Sequence, residues 1–259
     1  MTLPASTNGA GSRRLRALRS RLLSELTAAL RSDNSVQAVA LVGSLGRGTA
    51  DDWSDIDFMI LMEDDQISCF ADRPADRSWV HAPLIVDSRQ NAPAGLTQVN
   101  AAHLLDGLPF WVDYCVFPAS ATAWPIGCKV LFERQKVPAC RDTFDVLTSR
   151  GPRQPAKKIT AEELKHKYLS FIPLTAKDIA RGNCQHVRDM IRFIGSDPGY
   201  QDLEPSSQLD KLRAITRQLS DPSDWSWAWL TDAVSAYLDL VERRLVDNAR
   251  AANPDHSRN

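Results

Sequence analysis

Apolar positions along the chain change their period near residue 150. From residue 36 to about 135 they come as short unbroken runs, VQAVALV, IDFMIL, PLIVD, FWVDYCVF and KVLFER, divided by Gly, Pro and Asp clusters. Runs of that length with such breaks predict strands of a mixed sheet with a few helices. Upstream, Leu15, Leu18, Leu22 and Leu26 recur at helical spacing inside RRLRALRSRLLSELTAAL, which predicts a first helix with its arginines on the solvent side. The same stretch has the composition of a transit peptide, but the leucine spacing favours an element of the fold.

Beyond residue 158 the period is helical. Thr160 and Glu163 form a capping-box pattern, opening a helix with Leu164, Tyr168, Phe171 and Ile179. Pro173 is expected to kink or split it, Gly182 to stop it, and Asn183 to cap the next helix, which carries Val187, Met190, Ile191 and Ile194. A third helix presents Leu209, Leu212, Ile215 and Leu219, and a fourth starts near Pro222 and carries Leu230, Val234, Tyr237, Val241 and Leu245. Four such helices with short connections predict a bundle. The fold class expected is therefore α/β (α+β): a mixed-sheet domain over 13–150, a linker at 151–158 (GPRQPAKK), a helical bundle over 159–250, and frayed tails at 1–12 and 251–259.

Composition narrows the function classes. Lys+Arg (31) nearly cancel Asp+Glu (32), for a formal net charge of -1, which argues against a nucleic-acid partner. No apolar run approaches the ~20 residues of a membrane span. Five cysteines without CxxC spacing point to buried free thiols in a reducing cytoplasm. The five histidines show no metal-ligand spacing. Trp225, Trp227 and Trp229 alternate, which a helix cannot bury on one face; one or two are expected to anchor a helix start.

The chemistry concentrates in LVGSLGRGTADDWSDIDFMIL, residues 41–61. In a strand, Asp55 and Asp57 point to one face while Ile56, Phe58 and Ile60 point to the other. Two carboxylates about 6 to 7 Å apart repel by roughly 2.5 kcal/mol at an effective dielectric near 20. Water can screen such a pair, or a divalent cation such as Mg²⁺ can sit between its members and bind substrate phosphates as well. Gly43 ends the preceding run and lets a phosphate approach the backbone, Ser44 can donate its hydroxyl, and Arg47 lies one helical turn on. In FWVDYCVF, Asp113 is a lone charge inside an aromatic strand, where it would be costly without a partner. It shares its face with Trp111 and Cys115. Asp87, at the end of LIVDSRQ, is its rival.

Gly43-Ser44, ten intervening residues, then Asp55-Ile56-Asp57 resembles the signature of the polymerase-β-like nucleotidyltransferase superfamily. The resemblance implies a strand, a short helix starting at Gly-Ser, and a strand carrying the aspartates. It also implies two Mg²⁺ ions held by Asp55, Asp57 and a third carboxylate, best matched by Asp113, and a nucleoside triphosphate, ATP by preference. The layout, with KVLFER after the third carboxylate and TAKDIARGN (175–183) in the bundle, is similar to the aminoglycoside and lincosamide nucleotidyltransferases. Those join the catalytic domain to a helical substrate-binding bundle, and there Lys177 and Arg181 would contact the triphosphate beside Gly43, Ser44 and Arg47. The implied reaction is adenylyl transfer to a hydroxyl of a small-molecule acceptor in the cytoplasm. Nucleotidylylation of a protein or RNA, or a non-catalytic nucleotide-binding, antitoxin-like module, are the alternatives. A homodimer stays open.

Overall fold

In a computed structural model of the chain, the described residues are 10–87, 96–149, 160–220 and 227–252. They fall into two compact units. One comprises Arg14–Leu104 and Phe110–Lys158; the other takes the start of the chain through Arg13, Leu105–Pro109 and Ile159 onward. The linker expected at 151–158 lies outside the described residues.

The sheet unit begins at Arg14, inside helix α1 (Ala10–Ser32), whose first residues fall inside the stretch read as a tail. Leu15, Leu18, Leu22, Leu26 and Leu30 are all buried, as their spacing predicts. Its arginines do not all face solvent, however. Arg19 is only 6% exposed, and what buries it is described below.

Six strands form the main sheet: β1 (Val36–Leu41), β2 (Ile56–Met62), β3 (Leu84–Asp87), β4 (Thr97–Leu105), β5 (Leu108–Pro118) and β7 (Lys129–Glu133), in the order β3-β4-β5-β2-β1-β7. Strand β6 (Trp124–Ile126) pairs in parallel with β8 (Ala139–Thr143) in a second, two-stranded sheet. Between β1 and β2 stands a one-turn helix, α2 (Gly43–Gly46); α3 (Ile67–Asp72) follows β2, and α4 (Phe144–Ser149) follows β8. Strand β1 runs antiparallel to β2 and β7, but β2 and β5 are parallel. This central parallel pair is buried on both faces. Phe58 stacks on Tyr114 and Trp79 on Phe70 on one side; Met59, Leu61, Cys115 and Phe117 join Ala38, Ala40 and Val42 in a core on the other.

Strand β4 has no counterpart among the runs read from the sequence. Its interior holds Asn100 and His103, which break an apolar pattern. His103 is satisfied inside the fold: its Nε2 lies 3.0 Å from Tyr114 Oη, which donates to the Trp79 carbonyl at 2.7 Å. Burial, helped by nearby His81, lowers the His103 pKa to about 4 from 6.5. The unfolded chain therefore takes up a proton between pH 6.5 and 4 that the folded chain refuses. This stability is complete above pH 6.5 and lost toward pH 4, up to about 3 kcal/mol. Urea unfolding at pH 7.5 and 4.5 should show that difference, and His103→Gln should shrink it; an unchanged difference would assign the acid sensitivity elsewhere.

The helical unit contains α5 (Ala161–Ala180), α6 (Cys184–Ile194), α7 (Pro205–Leu219) and α8 (Ala228–Ala252). The predicted capping box opens α5: Glu163 N–H donates to Thr160 Oγ1 at 3.1 Å, and Thr160 N–H to Glu163 Oε2 at 2.7 Å. Pro173 does not split α5, which runs through it. Gly182, at φ +77°, closes the helix. Its N–H donates to the Ile179 carbonyl at 3.0 Å and that of Asn183 to Asp178 at 2.8 Å, the paired bonds of a Schellman stop. Asn183 stands at the N-cap of α6 without a side-chain capping bond. Buried Gln208 on α7 donates to the carbonyls of Cys184 and Asp202, tying the start of α6 to the loop before α7. Pro222 and Trp225 lie outside the described residues, while Trp227 stacks on His166 with ring centroids 3.4 Å apart. All five cysteines are free, and Cys69 is exposed, against the expectation of buried thiols. No helix among the described residues is long and apolar enough to cross a membrane.

Candidate active site

The parallel register sets Asp57 directly beside Asp113 and Ile56 beside Val112. Alternation then sends both carboxylates to one face of the sheet, and both are half-buried. Cys115, two residues after Asp113, confirms the shared side. Burial pushes its thiol pKa well up, and Asp113 and Asp57 raise it further.

Asp57 is pressed against the turn after β1. Gly43 has φ +59°, and a Cβ built on it would overlap Asp57 Oδ2 and stand 2.9 Å from Cγ. Only glycine leaves room for that carboxylate, and only glycine takes this left-handed conformation without strain. The backbone secures the same approach, since Val42 N–H donates to the Asp57 carbonyl at 2.9 Å. Ser44 lies in the single turn of α2, which Gly46 N–H closes onto Val42 O at 3.0 Å. Arg47 is the C-cap of that turn and exposed. Its stem lies near the turn between β6 and β7, where a Cβ on Gly127 would meet Arg47 Cγ at 3.2 Å.

Asp113 is held from the far side by a residue that the sequence reading passed over. Asn100 Nδ2, on β4, donates to Asp113 Oδ1. The only signal was a polar side chain inside TQVNAAHLL. Trp111 is 5% exposed, and its indole N–H has no acceptor among the described residues. It adds an orphan buried donor to the strand that carries Asp113.

The sequence-predicted residues thus divide. Gly43, Ser44, Arg47, Asp55, Asp57 and Asp113 belong to the sheet unit; Lys177 and Arg181 belong to the helical unit. Lys177 is in the last turn of α5 and Arg181 is its C-cap, 3.6 Å from Asp178. Asp87 ends β3, and its side chain lies outside what is described. Among the described residues no three His, Cys, Asp or Glu side chains are gathered as a ready metal cluster. What the fold brings side by side is a pair, Asp57 and Asp113, with Asp55 at the mouth of β2. Carboxylate oxygens on one face, packed against a glycine that only a bare backbone can supply, are a donor set suited to a hard divalent cation.

Residues 23–93 match the family model of a nucleotidyltransferase domain. The match spans β1, α2 and β2 with Gly43, Ser44, Arg47, Asp55 and Asp57, and ends before Asp113. No curated protein matches the chain. Among solved structures, the STING-associated c-di-GMP synthase CdnE from Capnocytophaga granulosa is 8% identical, with 91% of this chain and 82% of that one covered and a TM-score of 0.32. Over residues 23–93 the chain is thus similar to a nucleotidyltransferase domain, and that match supports nucleotidyltransferase as its enzyme class.

Proposed function

We propose that the chain transfers AMP from ATP to a hydroxyl of a small molecule of the aminoglycoside or lincosamide kind, releasing pyrophosphate. The observation that supports this most is the juxtaposition of Asp57, Asp113 and the bare Gly43 backbone within the sheet unit. In the reaction the acceptor hydroxyl gives up its proton to Asp113 or to solvent, its oxygen bonds to the α-phosphorus, the bond from that phosphorus to the bridging oxygen breaks, and pyrophosphate carries away the electron pair. Asp55, Asp57 and Asp113 would hold two Mg²⁺ ions, which supply neutralisation of the triphosphate and acidify the acceptor hydroxyl. Gly43 admits a phosphate oxygen to the backbone, Ser44 donates its hydroxyl, and Arg47 offers an exposed guanidinium to the triphosphate. Asn100 orients Asp113 so that one oxygen keeps a fixed direction. Lys177 and Arg181 are proposed as further triphosphate contacts on the strength of the resemblance. Most of the catalysis is then positioning and charge balance.

The test is incubation of the full chain with each of four nucleoside triphosphates, Mg²⁺ and a panel of aminoglycosides and lincosamides, followed by mass spectrometry. An adduct of one nucleoside monophosphate on a panel compound is expected. Label on a protein instead would replace the acceptor class. Absence of pyrophosphate release under every condition would replace the enzyme reading with a binding module.

A further inference from the structure

The loop that delivers the first aspartates is held from beneath by α1. DDWS (51–54) immediately precedes Asp55, so its backbone sets where the strand begins. Asp51 Oδ1 accepts from Trp53 N–H at 3.0 Å and from Ser54 Oγ at 2.7 Å, folding the loop on itself. Asp52 Oδ1 is engaged by Arg16, with Nε at 2.9 Å and Nη2 at 2.5 Å. The buried Arg19 does something different. Its Nη1 donates to two backbone carbonyls, those of Asp51 at 2.6 Å and Ser54 at 2.9 Å.

A guanidinium only 6% exposed is costly to bury for the sake of two carbonyl bonds. A neutral side chain would fill the space at less cost. The charge gains its return from the carboxylates around it. Burial pushes the Arg19 pKa down, while Asp51, Asp52 and, more weakly, Asp55 oppose that push. Arg19 thus bonds to the loop backbone and also carries a fixed positive charge within electrostatic reach of the first aspartate of the site.

We propose that Arg19 is a positioning residue for nucleotidyl transfer: it clamps the 51–54 backbone, fixes the entry of Asp55 and Asp57 into β2, and counters part of the negative charge gathered there. This rests on reading Asp55 and Asp57 as the metal-holding carboxylates. A merely structural Arg19 would support folding and leave the aspartates' ligand binding unchanged.

The experiment compares the full-length wild type with Arg19→Met, Arg19→Lys and Asp57→Asn. It measures Mn²⁺ binding by electron paramagnetic resonance, amide exchange across residues 50–58, and pyrophosphate release from ATP. Outer residues that orient metal ligands typically carry 10- to 100-fold in affinity. Arg19→Met should therefore weaken Mn²⁺ binding about 10-fold and speed exchange over 50–58, with turnover falling in step. Arg19→Lys keeps the charge on a shorter stem and should fall between the two, about 3-fold weaker than wild type. Wild-type Mn²⁺ affinity and exchange in Arg19→Met, with only a lower melting temperature, would overturn the inference. Should the Met variant fail to fold, wild-type values of both in Arg19→Lys would overturn it equally. If Asp57→Asn itself binds Mn²⁺ like wild type, the metal reading fails on its own, whatever the Arg19 variants do.

Discussion

Asp57→Asn is expected to lose Mg²⁺-dependent pyrophosphate release by on the order of 10³-fold, about 4 kcal/mol of transition-state stabilisation. Asparagine keeps the shape and packing of the half-buried side chain, and it keeps the backbone carbonyl that accepts from Val42. What it removes is one negative charge beside Asp113 in the register. Folding should survive intact or improve slightly, because a like-charge repulsion disappears with the charge. Activity and stability therefore separate in this variant. Circular dichroism melting alongside a pyrophosphate assay measures both, and a fully active Asp57→Asn would sink the two-metal reading.

Gly43→Ala adds a single methyl group and should cost nearly as much activity, about 10²-fold or more. The new Cβ would overlap Asp57 Oδ2, so either the carboxylate or the turn must move. A displacement of about 1 Å at a positioned group is enough for a loss of that size. The left-handed conformation at φ +59° adds about 1 to 2 kcal/mol of strain for any residue with a Cβ. A melting temperature a few degrees lower with activity nearly gone is the expected combination. Retained activity would mean that the Gly43 approach to Asp57 is incidental. Both variants are read with the same assay, so their ranking also tests whether the carboxylate's charge matters more than its place.

Much of this was legible along the chain because it depends on local periodicity. The leucines of α1, the strand IDFMIL, the capping box at Thr160 and the stop at Gly182 are all set by residues a few positions apart. Arg19 was misread for the same reason. A helical period sorts charges to the outside by default, and nothing local shows that the 51–54 loop lies over that face. Asn100 was missed because β4 carries polar residues that pair with other strands rather than with solvent. The pairing of Asp57 with Asp113 is a register between distant strands, and alternation within each strand could give their faces but not their meeting. Pro173 looked like a break, yet the rest of α5 supplies enough packing to carry the helix through it.

That long-range register has a consequence for how the enzyme is made. Strands β2 and β5 are parallel, so the chain must travel through α3, β3 and β4 before β5 can lie beside β2. Neither carboxylate has its neighbour until that crossover closes, and contacts between distant segments are the slow ones to form. Helices α5 to α8, built from near neighbours, can form their backbone bonds sooner. During refolding, helical signal should return ahead of the Asp57–Asp113 pair, so recovery of nucleotidyl transfer will time the closing of the sheet rather than the folding of the bundle.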